Sequence, residues 1–277
     1  MRELKDYVLK RLLSRYIVGH SLSDAIPAVS RVVQAGWNAT ICPWNFPGDA
    51  PEDVAARYLQ SLHALARFDG RGYLSVKAPA LGYDFSLLKK VLDAARPSGM
   101  RVHFDAQQPE TAAATRKLVE MAWRYYPLVS FTLPARWRRS FEDADWAISR
   151  EIPVRVVKGQ WEDPEAPDLD AGESFLALVD RLAGRAAHVD VATHDRPLAR
   201  QSLQILAERQ TSSRLEVLYG LPLGVTKEAE KLGVGVTMYI PFGRACLPYD
   251  IYVLRRRPEI LKWMLRDFLL GNRFQLP

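Results

Sequence analysis

The sequence predicts an α/β fold in which eight parallel strands close into a (β/α)8, TIM-like barrel. Three observations carry this reading. Short runs rich in β-branched residues recur eight times, each followed by a longer stretch with helical spacing, the pattern of parallel strands joined by crossover helices. No Gly-x-Gly-x-x-Gly turn follows any of the runs, which disfavours an open dinucleotide-binding sheet. The chain has 277 residues, and an α/β barrel of roughly 250 residues is one domain, so residues 1–277 read as a single barrel domain.

In chain order, a charged amphipathic helix is expected over residues 2–16, ahead of the barrel. The strands are placed at 38–42, 73–77, 102–105, 128–133, 154–158, 189–193, 215–219 and 236–240. The helices between them are placed at 51–66, 86–95, 109–123, 141–149, 173–182, 197–209 and 226–232, and a long closing helix at 248–270. Several starts carry the expected chemistry. Pro51, Pro109 and Pro197 sit in first turns, where a missing N–H costs nothing, and Asp49 and Ser86 are placed to accept orphan backbone donors.

Composition bounds the function. With 48% hydrophobic and 25% charged residues the chain is globular, and it is long enough to bury a large core. Its net charge of +6 and pI near 9.3 would suit a nucleic acid if the cations clustered. They do not: acids interleave throughout, and the dense runs are Arg136-Trp137-Arg138-Arg139 and Arg255-Arg256-Arg257, so no nucleic-acid partner is expected. Cys42 and Cys246 lie far apart and form no Cys-x-x-Cys pair, which gives neither a metal centre nor a redox motif and fits a reducing compartment. No apolar run reaches the roughly 18 residues of a membrane span, and the first 13 residues lack the plan of a secretory signal, so no integral membrane segment and a cytoplasmic location are expected.

In a barrel of this kind the loops after the strands build the site. The strand ends carry Lys77, Asp105, Arg155 with Val157-Lys158-Gly159, Thr193-His194-Asp195, and Tyr239. One polar residue at a rim needs no function beyond facing water; five polar strand ends together point to a site. A lone histidine such as His194 is more often a hydrogen-bonded structural residue than a catalyst. No second His or Cys stands at metal-ligand spacing, so no metal is expected. The Gly-x-Ser-x-Gly elbow and the phosphate-binding loop are absent, which removes acyl transfer and nucleotide hydrolysis.

These strand ends, in this order, resemble the proline dehydrogenase family, and the resemblance runs from Tyr16-Ile17-Val18-Gly19-His20 to Leu270-Gly271. The family's glycine, helix, glycine opening is similar to Gly19 through Gly36. Its lysine-bearing second strand is similar to Leu74-Ser75-Val76-Lys77, and its third to Val102-His103-Phe104-Asp105. The most specific stretches are Arg155-Val156-Val157-Lys158-Gly159 and Ala192-Thr193-His194-Asp195, followed by Leu218-Tyr219-Gly220 and Tyr239-Ile240-Pro241-Phe242-Gly243. The resemblance implies a flavin-binding catalytic barrel, with FAD held by Arg155, Val157, Lys158, Gly159, Thr193 and His194, and with Lys77, Asp105 and Tyr239 on the substrate face. The implied activity is oxidation of a carbon–nitrogen bond of proline or a related amino or imino acid. Its partners would be that small molecule and an electron acceptor of unspecified kind.

The sequence also departs from the family. A carboxylate clamp of the form Tyr-x-x-Arg-Arg-x-x-Glu is met in two registers. Without a gap, Tyr249 takes the tyrosine and Tyr252 and Val253 stand where the arginines belong; shifted by three, Tyr252, Arg255, Arg256 and Glu259 reproduce the pattern. The ungapped register is preferred, because Arg257-Pro258-Glu259 matches a triplet that follows the motif in some members. Tyr249, Tyr252, Arg255 and Arg256 are therefore the substrate-binding candidates. The first strand has Cys42 and Phe46 where the family has acids, and the fourth has Leu133-Pro134-Ala135-Arg136 in place of a glutamine-bearing end. Gln160-Trp161 adds bulk beside the expected cofactor. These losses leave a second reading, a flavin-free, inactive barrel that binds a small anion or a partner.

Overall fold

The computed structural model describes residues 18–46, 48–243 and 274–277. Eight parallel strands form a closed barrel in sequence order: β1 (Asn38–Trp44), β2 (Gly72–Val76), β3 (Val102–Phe104), β4 (Val129–Pro134), β5 (Val154–Val157), β6 (Val189–Ala192), β7 (Ser213–Leu218) and β8 (Gly235–Gly243). The predicted eight-stranded barrel is therefore borne out. Around it lie α1 (Leu22–Gln34), α2 (Pro51–Leu65), α3 (Phe85–Ala95), α4 (Ala112–Tyr125), α5 (Ser140–Ile148), α6 (Ala171–Leu182), α7 (Arg196–Glu208) and α8 (Thr226–Lys231). The expected helices over 2–16 and 248–270 fall outside the described residues, as does the expected role of Tyr249, Tyr252, Arg255 and Arg256. None of the described helices is long and apolar enough to cross a membrane.

Residues alternate across each strand, and the alternation here separates two kinds of chemistry. Ile41, Leu74, Val76, Phe104, Phe131, Leu133, Val154, Val156, Val189, Val191, Leu215, Val217, Met238 and Ile240 belong to the apolar core shared with the helices. Between them stand buried polar residues: Thr40, Ser75, His103, Ser130, Thr132, Arg155, Asp190, Glu216 and Thr237. Their bonds join strands that are not neighbours in the sheet, such as Tyr73 to Glu216, Arg155 to Asp105 and Tyr239 to Asp105. Such bonds can only pass through the barrel's interior, so this interior is polar where barrels of the type are usually filled by branched apolar side chains.

Among the differences from expectation are the end of one strand and two caps. β8 runs three residues past 240 because Pro241, Phe242 and Gly243 continue the ladder on β1 opposite Cys42, Pro43 and Trp44. At a barrel mouth, a proline lacking an N–H breaks less of the ladder than it would mid-sheet. The cap of α3 is Asp84, whose Oδ1 accepts from the backbone N–H of Ser86 and Leu87 (2.6 and 3.4 Å), so Ser86 lies inside the first turn. Asp49 does not cap α2; Ala50 holds that position, while Asp49 accepts from the Phe46 N–H and pairs with Arg57.

Candidate functional site

Of the nine described residues singled out from the sequence, eight line one cleft: Lys77, Asp105, Arg155, Val157, Gly159, Thr193, His194 and Tyr239. The cleft has a volume of about 750 Å3, within the range of small-molecule and cofactor sites. Because the strands are parallel, residues at their carboxyl ends share one mouth, which is why positions so far apart in sequence converge. Lys158 is the exception. Its Nζ lies 2.9 Å from Asp195, beside the cleft, where each side chain is about two-fifths exposed.

Asp105 is the hub. Its Oδ1 accepts from Ser75 Oγ and Arg155 Nη1, both at 2.7 Å, and its Oδ2 accepts from the Tyr239 hydroxyl at 2.7 Å and Cys42 Sγ at 3.4 Å. Burial, and then the charge of Asp105, push the Cys42 thiol up to about 12, so it stays protonated and serves as a donor. Burial and Asp105 likewise hold the Tyr239 hydroxyl protonated far above its ordinary range.

Arg155 is almost fully buried, at 3% exposure. Besides Asp105, its Nη2 donates to the Tyr73 hydroxyl (3.1 Å) and lies 2.9 Å from Glu216 Oε1. Burial works against the charged guanidinium; Glu216, Tyr73 and Asp105 outweigh it, and the proton is held well above arginine's ordinary value. One donor remains over. Arg155 Nε is buried and has no hydrogen-bond partner among the described residues, although the residue lines the cleft. An unmet buried donor carries a cost that a ligand acceptor would remove.

Sequence reasoning confined to strand ends missed Glu216. It sits mid-strand on β7, 3% exposed, lines the cleft and accepts from the Tyr73 hydroxyl at 2.5 Å through Oε2. Burial, reinforced by Asp190, pushes its carboxyl up to about 7 against the pull of Arg155. The signal was present in Leu215-Glu216-Val217, a charged residue alternating with apolar ones. His103, also missed, uses both ring nitrogens, on Ser130 and Thr132 (2.8 Å each), and burial keeps it neutral.

The remaining rim residues are held by the backbone. Gly159 has φ +92°, and a Cβ there would approach Pro134 Cβ to 3.0 Å. Its carbonyl accepts from Arg136 Nε at 3.1 Å. His194 Nδ1 donates to the Pro222 carbonyl (3.1 Å) and Nε2 accepts from the Leu218 N–H (2.8 Å), so the imidazole ties the β6 and β7 loops together. Thr193 Oγ1 accepts from the Asp195 N–H, and Asp195 caps α7. Trp44, Trp137 and Trp161 supply broad aromatic walls, with Pro134 at the end of β4 and Gln160 in the loop after β5. Lys77 Nζ lies 5.1 Å from the centre of the Trp44 ring, a cation–π contact.

The cleft fits the group that the sequence resemblance implies. Arg155 Nε is a buried donor without a partner among the described residues, on a residue that lines the cleft, Val157 and Pro134 add apolar lining, and Gly159 lets backbone approach a ligand where a side chain would intrude.

No family model matches the chain. Among curated proteins it is similar to proline dehydrogenase 1 of Bacillus subtilis, with 23% identity over 96% of this chain and 93% of that protein. It is also similar to proline dehydrogenase of Deinococcus radiodurans, with 21% identity over 98% of this chain and 94% of that protein. Among solved structures it is similar to proline utilization A from Bdellovibrio bacteriovorus, inactivated by N-propargylglycine (TM-score 0.75, 18% identity, 95% of this chain). A second is proline utilization A from Corynebacterium freiburgense (TM-score 0.70, 15% identity, 97% of this chain). The chain spans about a third of the length of those two structures, 33% and 34%, and the likeness to them is one of fold. The resemblance to the proline dehydrogenase family, with low identity, is borne out.

Proposed function

We propose that this chain is an FAD-dependent oxidoreductase of the proline dehydrogenase type, with residues 1–277 as one catalytic domain, acting on a carbon–nitrogen bond of proline or a related amino or imino acid. The observation that carries the reading is the convergence of eight sequence-selected residues on one cleft, with a buried, unmet Arg155 Nε among them. Curated relatives matched along nearly their whole length support the same reading. Nothing favours the flavin-free alternative.

In this reading Arg155, Val157, Gly159, Thr193 and His194 would hold the FAD, with Lys158, paired with Asp195 beside the cleft, supplying a cation for its polar part. When bound, the flavin would supply the acceptor for a hydride from the carbon beside the amine nitrogen. The protein's own groups set the conditions. Asp105 fixes Tyr239 and Arg155 in one orientation through short bonds of 2.7 Å. Tyr239, held protonated, presents a hydroxyl donor. Lys77, packed on Trp44, offers a cation for a substrate carboxylate. The three tryptophans exclude water and narrow the space beside Pro134 and Gln160. We further propose that proline is a poor substrate, because in the preferred register the family's arginine clamp is missing, Pro134 stands where the family has a glutamine, and Gln160-Trp161 adds bulk beside the cofactor.

The test is spectroscopic. FAD-reconstituted protein is yellow, and anaerobic mixing with a panel of cyclic and N-alkyl amino acids bleaches the visible band for its true substrate. A protein that takes up FAD but is bleached by none of them would overturn the activity, and rapid bleaching by millimolar proline would overturn the substrate preference.

A further inference from the structure

We infer that Glu216 is a positioning residue for this oxidation: through Arg155 it sets how much positive charge the cleft offers the flavin, and it binds a proton as the flavin is reduced. The inference rests on the proposed FAD reading.

The geometry comes first. Both nitrogens of the Arg155 fork are bound to carboxylates, Nη1 to Asp105 at 2.7 Å and Nη2 to Glu216 at 2.9 Å, so its charge is neutralised twice over. Glu216 belongs to a buried charge cluster whose other members come from β2, β3, β5, β6 and β8 or from the residues that flank them. Tyr73 faces it from β2, Arg101 from the foot of β3, and His103 and Asp105 from β3. Arg155 lies on β5, Asp190 with its partner His188 on and before β6, and Tyr239 on β8.

Charge counting then decides. Arg101 and Arg155 oppose Asp105, Asp190 and Glu216, with His103 neutral. With Glu216 ionised the cluster carries one surplus negative charge; with Glu216 protonated it is even. Burial and Asp190 already hold the Glu216 carboxyl near neutrality, whereas Arg101, first among the groups outweighing burial, holds Asp190 ionised far below it. A negative charge arriving beside Arg155 therefore falls on a site that already has one too many, and Glu216 is the carboxylate nearest to accepting a proton.

The step balances. The substrate C–H bond breaks with its electron pair and hydrogen going to the flavin, which gains one negative charge. The nitrogen releases one proton and becomes an imine, and the Glu216 carboxylate binds one proton and becomes neutral. Protonated Glu216 leaves Arg155 with Asp105 as its one charged partner, freeing positive charge to face the reduced ring.

The experiment is the two-electron midpoint potential of the FAD-loaded protein between pH 6 and 9, for the wild type and Glu216→Gln. Glutamine keeps an oxygen for Arg155 and an amide for Tyr73. Above pH 7 the wild-type potential is expected to fall with pH more steeply than the variant's by about 30 mV per pH unit, the worth of one extra proton in a two-electron couple. The variant's potential is expected to lie above the wild type's there and to meet it near pH 6. Should the variant not fold, the wild type alone decides: two protons taken up per flavin reduced at pH 8, counted with an indicator dye, support the inference, and one overturns it. Parallel potentials in a yellow protein overturn this inference and leave the flavin reading intact. A chain that takes up no FAD overturns both.

Discussion

Replacing Arg155 with methionine removes the one cation that Asp105 and Glu216 share inside the barrel. The side chain stays unbranched and apolar but stops short of the guanidinium, and it loses two ion pairs, of 2.7 and 2.9 Å, and a 3.1 Å bond to Tyr73. Breaking a buried pair from one side costs about 3–5 kcal/mol, because the abandoned charge stays buried. Two features place this case at the lower end. Asp105 keeps donors from Ser75, Tyr239 and Cys42, and Glu216, already pushed up to about 7, escapes by protonation. The expected loss is about 3 kcal/mol at pH 7, smaller at pH 5.5 and larger at pH 8.5, where protonation is unfavourable. At about 2–4 °C per kcal/mol for a chain of this size, the melting temperature falls by roughly 6–12 °C. Urea and thermal unfolding followed by circular dichroism at the three pH values measure it. A loss below about 1 kcal/mol, or one equal at pH 5.5 and 8.5, would refute the shared-cation argument.

Three further outcomes are expected. Because Glu216 binds its proton more tightly folded (about 7) than at its ordinary 4.5, its contribution to stability is full below the ordinary value and is lost as pH rises through 7. Glu216→Gln should therefore gain on the wild type by about 3 kcal/mol between pH 4 and 8.5, read from urea midpoints, and parallel curves would contradict it. Gly159→Ala forces a side chain to φ +92° and against Pro134, and should cost about 1–3 kcal/mol of stability; an unchanged unfolding curve would mean that the loop yields. Cys42, with its thiol pushed up to about 12, should resist iodoacetamide at pH 8 in native protein and react once unfolded, as peptide mapping would show, whereas prompt native labelling at Cys42 would contradict its burial.

The strand ladder was legible because strands of this barrel are short apolar runs with fixed punctuation. Residues 102–105 and 154–158, for instance, differ from β3 and β5 by one terminal residue. The rim was legible because parallel strands bring their carboxyl ends to one mouth, so order along the chain stands for proximity. The interior was not, although its signal was. Glu216 in Leu215-Glu216-Val217 and Asp190 in Val189-Asp190-Val191 show the same alternation, but the bond from Glu216 to Tyr73 spans 143 positions and no local pattern names that partner. Cap choice failed for a related reason: Asp84 and Ser86 both suit the role, and backbone direction selects Asp84. His194 lines the cleft, as its strand end leads one to expect, but its bonding partners were not legible. Its nitrogens meet the Pro222 carbonyl and the Leu218 N–H, partners set by loop conformation and not by residue type.

Equilibrium titration of the flavin-free chain with FAD, followed by visible absorbance and by quenching of Trp44, Trp137 and Trp161, tests the account most directly. Saturation at one FAD per chain is expected, with binding weakened at least about tenfold by Arg155→Met, the worth of ~1.4 kcal/mol. No uptake, or equal uptake by the wild type and that variant, would contradict the claim that this cleft is built around a flavin.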